Sequence, residues 1–108
     1  MTIFVVEKYV VKPDKMGEFT QLTKEFKAWI KKRPELSSYM KSYKVYNHML
    51  GGTWGGGVWM TEVESLAEFE KGLKKQMEDK EFMTEIYTKF MATIVDGTYS
   101  IDVWTPVQ

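Results

Sequence analysis

The sequence predicts an α+β fold, a four-stranded antiparallel sheet with two helices on one face. Three observations carry the prediction. Apolar and β-branched residues gather in four strand-like runs, at residues 3–11, 39–49, 58–63 and 98–104. Two longer stretches between them repeat apolar residues at helical spacing. The resulting order is β-α-β-β-α-β, which packs as a ferredoxin-like sandwich. The length of 108 residues suits one domain spanning 1–108, since about 100–150 residues is the usual domain size.

The first strand, Ile3-Phe4-Val5-Val6-Glu7-Lys8-Tyr9-Val10-Val11, is apolar on both faces and carries one carboxylate near its middle. Pro13-Asp14 then opens a helix, with Pro fixing the entry and Asp14 available as a cap. Met16, Phe19, Leu22, Phe26, Trp29 and Ile30 form its apolar stripe, and Pro34 ends it after Lys32 or Arg33. Residues 34–38 read as a loop. In the second strand Tyr43, Val45, Asn47 and Met49 share one face, while Ser42, Lys44, Tyr46 and His48 share the other.

Gly51-Gly52-Thr53-Trp54-Gly55-Gly56-Gly57 follows as a hairpin connection. No Lys-Ser/Thr and no helix come after it, so it does not read as a phosphate loop. Trp54 stands out there as a lid or partner contact. The third strand offers Val58 and Met60 to one face and Trp59 and Val63 to the other. Ser65-Leu66-Ala67-Glu68 fits a capping box for the second helix. Leu66, Phe69, Leu73 and Met77 continue at helical spacing. Asp79 is placed to cap a further helix, whose broad stripe of Phe82, Met83, Ile86, Tyr87, Phe90 and Met91 predicts burial on more than one side. Val95-Asp96-Gly97 reads as a turn or bulge before the last strand.

Composition narrows the function classes. Fifteen basic and fifteen acidic residues give a formal net charge of +0, without the basic excess of a nucleic-acid binder. The chain has no cysteine, which excludes disulfides, thiolate zinc sites and Cys nucleophiles. Four apolar residues before Glu7-Lys8 are too few for a signal-peptide core or a membrane span. A cytoplasmic protein without membrane or nucleic-acid partners is expected. The 15% aromatic content leans towards association, since aromatics are enriched at interfaces.

A sheet with apolar residues on both faces needs cover on both. Helices cover one, and a second copy placed face to face covers the other by two-fold symmetry. The residues behind this expectation also carry a resemblance. Residues 5–15, with Phe19 beyond them, and residues 58–69, followed by Glu78-Asp79-Lys80-Glu81-Phe82, resemble the dimeric α+β barrel superfamily. The likeness is closest to NIPSNAP-like and antibiotic-biosynthesis-monooxygenase-like proteins. It implies a homodimer whose sheets face one another around a pocket. Activities in the superfamily range from quinone-forming oxygenation to haem degradation and isomerisation. The haem-degrading branch needs a His and a Trp that fall near Ile86 and Gly72, and neither residue type is there.

The candidate residues follow. Glu7 shares a face with Ile3, Val5, Tyr9 and Val11. That face is expected to line the barrel between subunits, while Phe4, Val6 and Val10 meet the helices. In such a place desolvation raises the Glu7 pKa and suits it to general acid–base work, with Tyr9 holding a substrate oxygen. His48 is the lone histidine, with no metal-ligand cluster around it in sequence. It reads as a surface or pocket-rim residue, and at the rim it would act with Tyr46 to orient a ligand. Val5, Tyr46, Trp59 and Asp102 complete the expected ligand pocket, and Asp102 reads first as a salt-bridge partner. No cofactor or metal is called for. The function expected is a small homodimeric barrel of unassigned activity that binds a small apolar or aromatic ligand between sheet and helices. The alternative is a cofactor-independent monooxygenase-like enzyme acting on an aromatic or quinol substrate, with Glu7, Tyr9 and His48 as its catalytic set.

Overall fold

A computed structural model describes residues 2–47 and 54–107. The chain runs β1 (Ile3–Val10), a 3₁₀ turn (Pro13–Lys15), α1 (Met16–Lys32), a short α2 (Pro34–Ser37), β2 (Met40–Asn47) and β3 (Gly56–Val63). Then come α3 (Leu66–Glu78), a π-helical segment (Phe82–Tyr87), α4 (Thr88–Ala92) and β4 (Ser100–Trp104). The strands lie in the order β2-β3-β1-β4, and each neighbouring pair is antiparallel. This is the ferredoxin-like sandwich that the element order predicts. None of the described helices is long and apolar enough to cross a membrane.

Local chemistry sets the boundaries. Pro13 opens a 3₁₀ turn rather than the α-helix itself, and Asp14 makes no side-chain cap bond. Pro34 ends α1 and also starts α2, where its missing N–H would have no helical partner anyway. Residues 34–37 are therefore helical rather than loop. The Ser65 hydroxyl accepts the Glu68 amide at 3.2 Å, as the capping pattern predicts. Asp79 leaves the helix at ψ 123°. Its carboxylate then accepts the Phe82 amide at 2.9 Å and restarts the helix.

What restarts is a π-helical segment, a form found mostly as single turns and often at functional sites. Gly55 closes the approach to β3 at φ +79°, where a Cβ would sit 2.9 Å from the Val11 carbonyl oxygen. Glycine alone fits there. The earlier part of that connection, including His48 and Gly51-Gly52-Thr53, lies outside the described residues.

One expectation is inverted. Ile3, Val5, Tyr9 and Val11 do not face a second sheet. They are buried beneath this chain's own helices, Val5 with Val63 and Phe69, and Tyr9 with Phe19 and Ile94. Phe4, Val6, Lys8 and Val10 take the other face. The reason lies in the charges. Lys8 and Asp102 pair at 3.0 Å with both side chains about half exposed (47% and 46%), and such a pair belongs on the side that no helix covers. Val6, flanked across the sheet by Met60 and Asp102, is still fully buried by its surroundings.

A polar clamp ties the helical layer together. Arg33, at the end of α1, reaches Asp79 at 3.0 Å and Glu81 at 3.3 Å. The Trp29 indole N–H donates to the same Glu81 carboxylate at 2.9 Å. These bonds join the C-terminus of α1 to the restart after α3. Met16, expected in the buried stripe of α1, is 39% exposed, because the stripe meets the sheet only from Phe19 onward.

Candidate functional site

A cavity of about 200 Å³ lies between the sheet and the helices. Its floor is the helix-side face of the sheet, with Glu7 from β1, Trp59 and Thr61 from β3, Met40 from β2, and Tyr99 and Ile101 at β4. Its roof comes from α1 (Leu22, Thr23, Phe26), α3 (Phe69, Leu73, Gln76, Met77) and the π-helical segment with α4 (Phe82, Ile86, Tyr87, Phe90, Met91). Tyr39 closes one side. The walls are largely apolar and rich in aromatic rings. Trp59 is fixed between Tyr43, stacked at 5.3 Å and 3°, and Phe26 at 5.0 Å. Its indole N–H donates to the Thr61 hydroxyl at 3.0 Å.

Glu7 is the one charged side chain among the described lining residues. In the register it sits between Trp59 and Ile101, so both cross-strand neighbours are apolar. Burial pushes its pKa above the usual carboxylate value, and a hydrogen bond donated by the Tyr99 hydroxyl offsets part of the rise. Burial also pushes the Tyr99, Tyr39 and Tyr9 phenols up, and the Glu7 charge adds to each. These three phenols stay protonated at neutral pH and remain donors.

The other polar groups in the wall are largely spoken for. The Tyr39 hydroxyl donates to Gln76 Oε1 at 2.9 Å, and Gln76 Nε2 donates to the Leu36 carbonyl at 3.0 Å. The ring of Tyr39 packs against Gly72, where an added Cβ would collide with it. The glycine thus makes room for the tyrosine that positions Gln76. The sequence position of Gly72 carries no trace of this, because the partner lies 33 residues away in the numbering of Tyr39 and Gly72.

The structure splits the sequence-derived set. Glu7 and Trp59 meet at the cavity, and Val5 lies on the same face within the core. Tyr9 is also on this face, but it is packed behind the wall against Phe19 at 5.5 Å and Phe90 at 5.4 Å. Its hydroxyl is buried with no hydrogen-bond partner among the described residues. Tyr46 and Asp102 point to the opposite, open face: Tyr46 pairs with Val58 and Asp102 with Val6. They are not part of the cavity. His48 lies outside the described residues.

Sequence reasoning missed Tyr99, Tyr39, Gln76 and Thr61 as site residues. For Tyr99 the signal was present, since its alternation with Ile101 and Val103 puts it on one face. What was lacking is the register that brings that face against Glu7. Among the described residues no group of three or more His, Cys, Asp and Glu could hold a metal ion.

No protein-family model matches this sequence, and no curated protein matches it significantly. Solved structures do match in shape. A NIPSNAP family protein from Agrobacterium tumefaciens is 19% identical with a TM-score of 0.77, over 99% of this chain and 94% of that one. SnoaB, a cofactor-independent oxygenase from Streptomyces nogalater, is 14% identical with a TM-score of 0.68, over 99% and 94%. An antibiotic biosynthesis monooxygenase is 13% identical with a TM-score of 0.70, over 98% and 99%. Likeness of this kind establishes the fold: the chain has the α+β architecture of these NIPSNAP-like and monooxygenase-like proteins, along nearly its full length.

Proposed function

We propose that the protein is a homodimer in which each protomer binds a small apolar or aromatic molecule between its sheet and its helices. The observation that carries the reading is the cavity of about 200 Å³, with one partly buried carboxylate in an aromatic wall. Pockets for drug-sized ligands run to ~300–1,000 Å³, so the occupant is small. Association through the open sheet face is supported by the apolar residues there. Phe4, Val58 and Met60 are only partly buried, and Tyr46 and Trp104 are 48% and 45% exposed.

Titration with a panel of neutral aromatics, followed by the fluorescence of Trp59, tests the binding. Saturable quenching that a Trp59→Phe variant lacks is expected. Failure of every member to bind overturns the reading. Light scattering tests the dimer. A Met60→Asp variant is expected to shift the protein to a monomer with an unchanged circular dichroism spectrum, and a wild-type monomer overturns this half.

A second reading is favoured by the Glu7–Tyr99 pair and by the shared fold of SnoaB. Here Glu7 takes a proton from an aromatic or quinol substrate, and the resulting anion reacts directly with dioxygen. An activated methylene then becomes a carbonyl with release of one water, and a quinol becomes its quinone with release of hydrogen peroxide; both balance without a cofactor. Tyr99, rather than Tyr9, is the phenol at Glu7. Oxygen uptake with a panel of quinols is the assay, with turnover expected in the wild type and lost in Glu7→Gln. No uptake by the wild type leaves binding alone.

A further inference from the structure

We propose that the cavity selects a small organic monocation, an amine carried on an apolar or aromatic body, with its ammonium on the Glu7 carboxylate and its body against the aromatic wall. The inference rests on the cavity reading above and names the class of ligand.

Three observations carry it. First, among the described residues the lining contains one carboxylate and no Lys, Arg or Asp, so Glu7 has no counter-ion among the described residues of its wall. Second, Glu7 lines the cavity and has two oxygens that can each accept, while Tyr99 is its hydrogen-bonding partner among the described residues. Third, Trp59, Phe26, Phe90 and Tyr99 surround the space, and aromatic faces attract cations as well as apolar groups.

The chemistry sorts ligands by charge. A carboxylate-bearing ligand meets a like charge and no cation, and is excluded. A neutral alcohol finds one hydrogen bond to a carboxyl group that is costly to ionise in this setting. An ammonium turns the same desolvated carboxylate into a charge-assisted partner, worth about 1–2 kcal/mol more than a neutral hydrogen bond, or about tenfold in affinity.

Calorimetry with three ligands that share one body provides the test: 2-phenylethylamine, 2-phenylethanol and 3-phenylpropionate. At pH 8 the amine is expected to bind at least about tenfold more tightly than the alcohol, with no detectable binding of the carboxylate. Among the described residues the titratable groups that face Glu7 are Tyr99, Tyr9 and Tyr39, with Tyr87 also in the wall, and all are phenols. The advantage of the amine therefore tracks Glu7 itself and shrinks as pH falls and its carboxyl takes up a proton.

In Glu7→Gln the amine is expected to fall to the affinity of the alcohol, and an unchanged circular dichroism spectrum reports that the variant is folded. Alcohol binding as tight as amine binding in the wild type overturns the cation assignment and leaves the cavity reading standing. Binding by none of the three overturns both.

Discussion

Two glycines in helices offer a paired test of the packing, because the same substitution should act in opposite directions at the two sites. Gly17 lies in the first turn of α1, and a Cβ added there meets nothing within 4 Å. Gly17→Ala should stabilise by about 0.5–1 kcal/mol, the usual cost of a helical glycine relative to alanine. Gly72 is buried in the middle of α3, and a Cβ there would collide with the Tyr39 ring. The propensity gain is the same or slightly larger. Against it stands overpacking at about 1–3 kcal/mol, and the strained ring cannot keep its bond to Gln76, worth about another 1 kcal/mol.

Packing wins at Gly72, so Gly72→Ala should destabilise by about 1–3 kcal/mol net. Urea unfolding followed by tryptophan fluorescence reads both variants. With a slope of about 1–3 kcal/mol per molar for small proteins, the midpoints should move apart by roughly 1–2 M. A Gly72→Ala midpoint that rises with that of Gly17→Ala would refute the reasoning. Tyr39 would then yield freely, and that side of the cavity would not be fixed as described.

The remaining predictions concern charges and caps. Above the ordinary value of 4.5 the unfolded chain gives up the Glu7 proton, while the folded chain keeps it until its raised pKa is reached. Folded stability should therefore fall with rising pH through that window and level off above it, by about 1.4 kcal/mol per pH unit crossed. Glu7→Gln lacks this decline, so the two proteins should converge near pH 4 and the variant should be the more stable at pH 8; a difference that does not change with pH contradicts it. Glu81→Ala strands the indole N–H of Trp29, which is 5% exposed, and should cost about 1–3 kcal/mol. Glu81→Gln keeps an acceptor and should recover much of that in thermal melts. Ser65→Ala removes the acceptor for the Glu68 amide and should cost about 1 kcal/mol in urea unfolding.

Much of the fold was legible because its signals are local. The Ser65 cap, the Asp79 restart and the parity of β2 and β3 can each be read within a few residues, and each is found in the structure. The facing of β1 could not be read this way. Alternation says that Ile3, Val5, Glu7, Tyr9 and Val11 stay together, but with apolar residues on both sides it cannot say which set meets the helices. The deciding contact is long-range: Lys8 finds Asp102 on β4, 94 positions on in the numbering of the chain, on the sheet face that no helix of this chain covers.

The same limit shaped the site. Glu7 and Trp59 were found from their own strands, whereas the Glu7–Tyr99 bond depends on how β4 docks beside β1. The broad stripe from Phe82 to Met91 predicts a helix buried on several sides. Part of that breadth comes from the wider π-helical turn, which sends Phe82, Ile86 and Tyr87 into one cavity wall.

The placement of β4 has a consequence for how chains behave in a crowd. It is an edge strand with nothing beyond it in the sheet, and Ile101, Val103 and Trp104 are each 45% exposed. A short apolar edge is a template on which a foreign strand can add. Two features blunt it: the charge of Asp102 in the middle of the strand, and Pro106 just past its end, which has no N–H to extend a ladder. The Lys8–Asp102 pair, modest as a source of stability, thus guards the margin of the sheet against unwanted polymerisation.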